Sequence, residues 1–349
     1  MRKSFTLIEL IIVIVIMGIL STITFDILQK VYKNYIFVKE TNRLNDKVNY
    51  ALEEISALMK NRIKNSVIAT AYPIEVNQTD SSKVDFDYIG AIEENTTKYK
   101  VLEWLGKDYE AKNGMWDESQ KRIQTGWSGF IDLDKASKTN DDPQEFNVTT
   151  LYSNFDVVKI IDANITSSLG DDTNIFDDNI TTLVFSFYDM GGELSPDINH
   201  SFGWYLDKDR GREARSIFAI QNYTQHSDYS VDLNITRISE YNETELYARY
   251  FLVRTAYSLV PIENNTSTTN DYNLTLYYNY RPWKGDWWNK RADTGAEANH
   301  TLVLNHVTQF RFKKDLHTDI FRIYICVQSS FLDINATNKL EVCKERMIY

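Results

Sequence analysis

MRKSFTLIELIIVIVIMGILSTITF (Met1–Phe25) decides how the remaining chain is organised. Arg2 and Lys3 precede Ser4, and from Phe5 to Phe25 the stretch is apolar except for small or hydroxyl residues and one carboxylate, Glu9. About 20 apolar residues in a helix cross the hydrocarbon core of a bilayer. Basic residues hold their end of such a span in the cytoplasm, so the remaining chain is expected on the other side. Glu9 is the anomaly. An ionisable group at that depth costs roughly 2.5–3.5 kcal/mol on insertion scales, so it needs a partner and marks function by default. A secretory signal peptide would carry a small-x-small cleavage site after the apolar run, and Gly18-Ile19-Leu20-Ser21 is a poor one. An uncleaved anchor is the other simple alternative.

Beyond Phe25, apolar residues recur at Ile27/Leu28, Val31/Tyr32, Tyr35, Val38, Leu44, Val48, Ala51/Leu52, Ile55, Leu58/Met59 and Ile63. These steps predict one amphipathic helix with a single stripe. Neither Pro nor Gly lies between Asp26 and Tyr72. The helix is expected from Phe5 to about Val67, a length of roughly 95 Å, with Asn65-Ser66 and Pro73 marking its end.

The remainder reads as strands. Val84–Ile89, Tyr99–Leu105, Trp127–Leu133, Phe155–Ile161, Thr182–Tyr188, Ser216–Ile220, Tyr229–Ile238, Ala248–Leu259 and Asn273–Tyr280 are candidate strands or short buried runs. Ala111–Gln124 and Ser137–Gln144 read as loops or short helices. Leu302–Phe312, Ile320–Val327 and Leu340–Tyr349 are spaced for an antiparallel meander. In IFRIYICV, Phe321, Ile323, Ile325 and Val327 fall on one face, with Arg322, Tyr324 and Cys326 on the other.

Composition narrows the function. Aromatic residues are 13% of the chain and charged residues 25%, a folded and strand-rich balance. A net charge of −11 disfavours a nucleic-acid partner. Cys326 and Cys343 are the only cysteines. Outside the cytoplasm they form either a disulfide or two free thiols. A bridge closing a ~17-residue loop contributes about 3 kcal/mol in the chain-entropy model. Metal binding by two Cys without a nearby His is not expected.

Ser4-Phe5-Thr6-Leu7-Ile8-Glu9 resembles the cleavage motif of type IV pilins and type II secretion pseudopilins, which usually have Gly where Ser4 stands. The resemblance implies that a prepilin peptidase cuts between Ser4 and Phe5 and N-methylates Phe5. It also implies that Glu9 pairs with a neighbouring subunit's N-terminal amine during fibre assembly. Many major pilins bend their helix at a Pro just past the membrane; Asp26 stands there, so no kink is expected. Leu52–Asn65 (LEEISALMKNRIKN), the W-x-G-F motif at Trp127–Phe130 and the strand NHVTQFRF are similar to minor pseudopilins, the J-type in particular. The tip subunits of the K-type are larger, but usually lack the intramembrane Glu. The implied fold class is α+β and pilin-like: one long N-terminal helix on an antiparallel sheet. Its parts are a leader (1–4), a transmembrane segment (5–25), a periplasmic helical segment (26–68) and a strand-rich head (69–349). The implied partners are the prepilin peptidase, other major and minor pseudopilins and the inner-membrane assembly platform. The implied role is structural, in a pseudopilus anchored in the bacterial inner membrane, with a minor type IV pilin as the alternative.

A second pattern is independent of the first. Asn-x-Ser/Thr occurs at 14 of 29 asparagines, and the residue two before is Asp or Glu at 12 of them. With 49 acidic residues in 349, about two would be expected by chance. The twelve are Asn77, Asn95, Asn147, Asn164, Asn179, Asn199, Asn234, Asn242, Asn265, Asn273, Asn299 and Asn335; Asn222 and Asn264 lack the acid. The pattern resembles the extended acceptor sequon of bacterial oligosaccharyltransferases, which implies that enzyme as a partner and an N-glycosylated head.

Catalytic spacing is missing. His200, His226, His300, His306 and His317 are scattered, and no phosphate-binding Gly loop occurs. No enzyme activity or cofactor is expected. Asp171–Asn174 with Asp177–Asn179, and Asp207–Gly211, are similar to calcium loops but lack the terminal Glu, so solvated turns are the favoured reading and calcium the secondary one. Trp283, Trp287 and Trp288 offer either a sugar- or partner-binding surface or core packing.

Overall fold

The computed structural model describes residues 6–71, 83–92, 98–139, 142–171, 174–185, 197–227, 229–241, 246–263, 271–315, 320–329 and 340–349. Helix α1 (Leu7–Lys60) runs uninterrupted for 54 residues, about 80 Å at the standard rise. It stops short of Val67 because the head captures the chain there. The Ile63 N–H donates to the Leu105 carbonyl, the Asn61 carbonyl accepts from Lys107, and Arg62 bridges Gly106. Ile63 and Val67 are therefore buried, but beyond the helix.

The apolar positions of α1 form two stripes, not one. Val38 is 48% exposed and Leu44 2%. The six-residue step between them turns the helix through about 240°. Leu44, Val48, Ala51, Leu52, Ile55 and Met59 are buried. Ile27, Leu28, Val31, Tyr32, Tyr35 and Val38 are centred about 120° round the helix from that stripe and are exposed, as is every residue of α1 before Glu40.

The head begins with strands β1 (Ile68–Ala71), β2 (Phe86–Tyr88) and β3 (Tyr99–Lys107), then helix α2 (Tyr109–Asn113) and a separate two-stranded ribbon, β4 (Met115–Asp117) and β5 (Arg122–Gln124). Strands β6 (Ile131–Lys138) and β7 (Glu145–Thr150) precede helix α3 (Phe155–Ser168) and strand β8 (Thr182–Val184). Helix α4 (Ile198–Ser201), β9 (Ile217–Gln225), β10 (Val231–Arg237), β11 (Phe251–Glu263) and β12 (Tyr272–Tyr280) follow. The meander β13 (Asn299–Lys314), β14 (Phe321–Gln328) and β15 (Glu341–Ile348) closes the chain. The fold is α+β: one long helix on a multi-stranded antiparallel sheet, a pilin-like architecture.

The sheet runs β15-β14-β13-β12-β11-β8-β9-β10-β7-β6 and forks at β11. Phe251–Val253 pairs with β8, while the stretch from Val253 to Leu259 pairs with β3, which carries β1 and β2. The fork explains a head built of two arms. One arm, β13–β15, receives the buried stripe of α1. The expected faces of β14 hold, with Phe321, Ile323, Ile325 and Val327 all buried.

Phe155–Ile161 is helix, not strand. Asn154 caps it by accepting from the Val157 N–H, and Phe155, Val158, Asp162 and Thr166 are buried at helical spacing. Trp127–Phe130 is a turn ahead of β6: Gly129 has φ 88°, Trp127 is buried and Phe130 exposed. Strands β1 and β7 were not expected, and Ala111–Gln124 includes the β4–β5 ribbon. Trp283, Trp287 and Trp288 are core, at 2%, 3% and 6% exposure.

Two buried polar clusters hold the arms. Glu103 on β3 accepts from Thr70 (2.6 Å), Tyr205 (2.5 Å) and Tyr280 (2.8 Å). Burial raises its pKa against those three hydroxyls. In the second cluster, Asp108 caps α2, Asp162 on α3 accepts from Thr181, and the Arg254 Nε lies 3.6 Å from Asp162. Burial first, and then the neighbouring Asp162 charge, push the Asp108 carboxyl well above the usual range.

Two tests follow from this packing. Ile55→Ala is expected to cost the head 2–5 kcal/mol and Tyr35→Ala less than about 0.5 kcal/mol, measured by denaturant unfolding of the detergent-solubilised chain. Equal losses would contradict the two-stripe assignment. For Asp108, a raised folded pKa means a contribution fully present below the unfolded carboxylate value and lost as pH rises through the folded value. Asp108→Asn, which keeps the cap and fixes the neutral form, is expected to flatten that decline. Its stability should match wild type at low pH and exceed it near neutrality; an unchanged pH slope would contradict the cluster's role.

Candidate functional site: the N-terminal segment and the sequon faces

Thr6 has extended backbone angles and begins α1 as its N-cap. Glu9, three residues on, turns back over the first turn. Its Oε2 accepts from the Thr6 backbone N–H (3.0 Å) and from the Thr6 hydroxyl (2.9 Å). A carboxylate in the first turn also sits favourably at the positive end of the helix dipole. The Thr6-x-x-Glu9 spacing ahead of an apolar run is a capping signature legible in the sequence, and sequence reasoning overlooked it. In the isolated subunit Glu9 is thus satisfied locally while its side of the helix stays exposed. Ser4 and Phe5 lie outside the described residues.

From Leu7 to Val38 no residue of α1 is buried by the head. This arm extends about 48 Å. Its first part is long and apolar enough to cross a membrane, and its second carries the Ile27–Val38 stripe.

Cys326 and Cys343 are register partners on β14 and β15, and their sulfurs lie 2.09 Å apart. A Glu341 carboxylate oxygen completes a group of three donors within 4.8 Å. Both cysteines are engaged in the disulfide that joins the two strands. Two carboxylates of the acidic turns are also engaged within the chain. Burial of Asp171 is outweighed by Arg281 (2.8 Å) and Arg291 (2.7 Å), which hold its carboxyl below the usual range. Asp207 caps a turn by accepting from the Asp209 N–H. The reading of Asp171 as part of a solvated turn is therefore corrected: it anchors the Arg281–Arg291 loop.

The sequon residues are spread over the head. Asn147 on β7, Asn164 on α3, Asn199 on α4 and Asn222 on β9 are exposed. Asn234 on β10 and Asn273 on β12 are half-buried, as is Asn179 in a left-handed turn with φ 52°. Asn299, also half-buried, accepts from Asn279. Asn77, Asn95, Asn242, Asn264, Asn265 and Asn335 lie outside the described residues, as does His317. Two of the preceding acids have structural work of their own. Asp162 belongs to the Arg254 cluster, and Asp271 is engaged by His306 and Gln328, each at 2.8 Å.

Residues 1–25 match the family model described as the prokaryotic N-terminal methylation motif. The chain carries a prepilin-type methylation motif on a pilin-like fold. No curated protein and no solved structure matches it. Among the described residues one helix, α1, is long and apolar enough to serve as a single-pass membrane anchor.

Proposed function

We propose that this chain is a minor pseudopilin, a structural subunit of the periplasmic pseudopilus of a type II secretion system. A prepilin peptidase removes residues 1–4, cutting between Ser4 and Phe5, and methylates the Phe5 amine. The subunit waits in the inner membrane with residues 5–25 in the bilayer and the helical segment and head in the periplasm. The inner-membrane assembly platform then packs its helix among those of other major and minor pseudopilins. The observation that carries this reading is the joining of the methylation motif to an apolar arm that the head leaves bare, Leu7–Val38. Glu9 supplies the specificity of assembly. Its two bonds to Thr6 stabilise it before assembly, and a partner's N-terminal amine replaces them with an ion pair in an apolar setting. Oxidised Cys326–Cys343 ties the last strand to the sheet, as suits a periplasmic protein.

The sequons favour a second reading, a minor type IV pilin whose large head is N-glycosylated by an oligosaccharyltransferase and contacts a surface or partner. Neighbouring genes separate the two: a secretin and secretion ATPase with other pseudopilins, against a retraction ATPase and a major pilin.

The test of the assembly role is Glu9→Ala. The variant is expected to insert into the membrane at wild-type levels and to be lost from sheared fibres or pseudopili. Incorporation at wild-type levels would contradict the role of Glu9.

A further inference from the structure

Two of the acidic-offset motifs lie side by side on one face of the head. In a strand, residues i−2, i and i+2 share a face. Glu145, Asn147 and Thr149 therefore project together from β7, and Asp232, Asn234 and Thr236 from β10. The two strands pair antiparallel with Asn234 opposite Asn147, Asp232 opposite Thr149 and Thr236 opposite Glu145. The motif is self-complementary in that register. Thr149 Oγ1 donates to Asp232 Oδ1 at 2.7 Å, and Asp232 Oδ2 is also bonded to His226 Nε2 at 2.8 Å. At the centre, Asn234 Nδ2 donates to Asn147 Oδ1 at 3.1 Å and to the Glu145 carboxylate. On the other side of Asn234, Asn222 of β9 is its register partner, so three sequon asparagines stand in a row across three strands.

The two paired asparagines are not equivalent. Asn234 is half-buried and its amide nitrogen already serves two acceptors. Asn147 is exposed; its oxygen is used, and its amide nitrogen has no acceptor among the described residues. N-glycosylation joins Nδ2 to the anomeric carbon of an activated glycosyl phosphate. The anomeric C–O bond breaks with its electron pair on the phosphate oxygen, and one Nδ2 proton passes to a base. A nitrogen shared between Glu145 and Asn147 would have to give up at least one of its bonds, since one of its two hydrogens is replaced. Cross-strand Cα atoms are roughly 5 Å apart, so a saccharide on one asparagine covers its neighbour.

We propose that this ladder carries a single N-linked glycan, on Asn147, and that Asn234 and Asn222 remain unmodified in the folded head. The proposal rests on the glycosylation reading above and assigns its site on this face. The acidic offset then has a second role here: Glu145 and Asp232 are hydrogen-bond acceptors that lock the two strands in register, besides forming the acceptor motif.

Peptide-level mass spectrometry of the full chain purified from its native cells tests this. The expected result is a glycan on the Asn147 peptide, with unmodified Asn234 and Asn222. A glycan on Asn234, or a bare Asn147 alongside glycans on the exposed Asn164 or Asn199, would overturn the assignment and leave glycosylation of the head standing. Bare asparagines at all twelve acidic-offset sequons would remove the underlying reading and this inference with it, whereas a bare Asn147 with a glycan on any of the others overturns the assignment alone. In Asn147→Gln the intact mass should fall by one glycan and Asn234 should stay bare, because Glu145 still holds its amide. Transfer of the glycan to Asn234 in that variant would contradict the proposal.

Discussion

The constraint on which the molecule depends is that one helix serves two environments. Leu44 to Met59 must be buried under a sheet, while Leu7 to Phe25 must face lipid and, between them, Ile27 to Val38 faces neither the bilayer core nor its own head. Helical periodicity resolves this with a rotation. The step from Val38 to Leu44 offsets the head-facing stripe by about 120° from the membrane-proximal one. A subunit built this way keeps its own stability and its capacity to associate on separate faces. Five large buried side chains of the lower stripe, each worth about 1.5–3 kcal/mol on burial, together with Ala51, bind α1 to β13–β15. None of that stabilisation draws on the residues left for partners.

Glu9 obeys the same separation. A carboxylate in an apolar segment is tolerable while Thr6 satisfies it, and its exposure on the isolated helix leaves it open to a stronger partner. The Thr6 bonds are already charge-assisted through the carboxylate; a charged amine adds the attraction of an opposite charge in a low-dielectric setting. In the proposed fibre, the apolar arm supplies adhesion without register, and a charge at one position supplies register.

The sequence made some of this legible and hid the rest for physical reasons. The β13–β15 meander was readable because Phe321 to Val327 alternates cleanly over a half-buried surface. The apolar run Phe155–Ile161 was ambiguous by length, and the Asn154 cap that decides it is a local cue outweighed by β-branched composition. The two stripes of α1 merged into one because steps of three and four were tracked without the six-residue break before Leu44. Asp108, Asp162 and Arg254 meet only through the fork at β11, so no local pattern announces them. Among the sequons, the motif itself was plain, but the pairing of Asn147 with Asn234 depends on a register that only tertiary structure sets.

The central claim is that the apolar arm the head leaves bare is the part of α1 that meets other subunits. Photo-crosslinking from a reporter at Tyr35, and separately at Leu52, in fibres or pseudopili assembled in cells tests it most directly. The account predicts adducts between subunits from Tyr35 and adducts confined to the reporter's own head from Leu52. Adducts between subunits from Leu52, or none from Tyr35 in an assembled fibre, would contradict it.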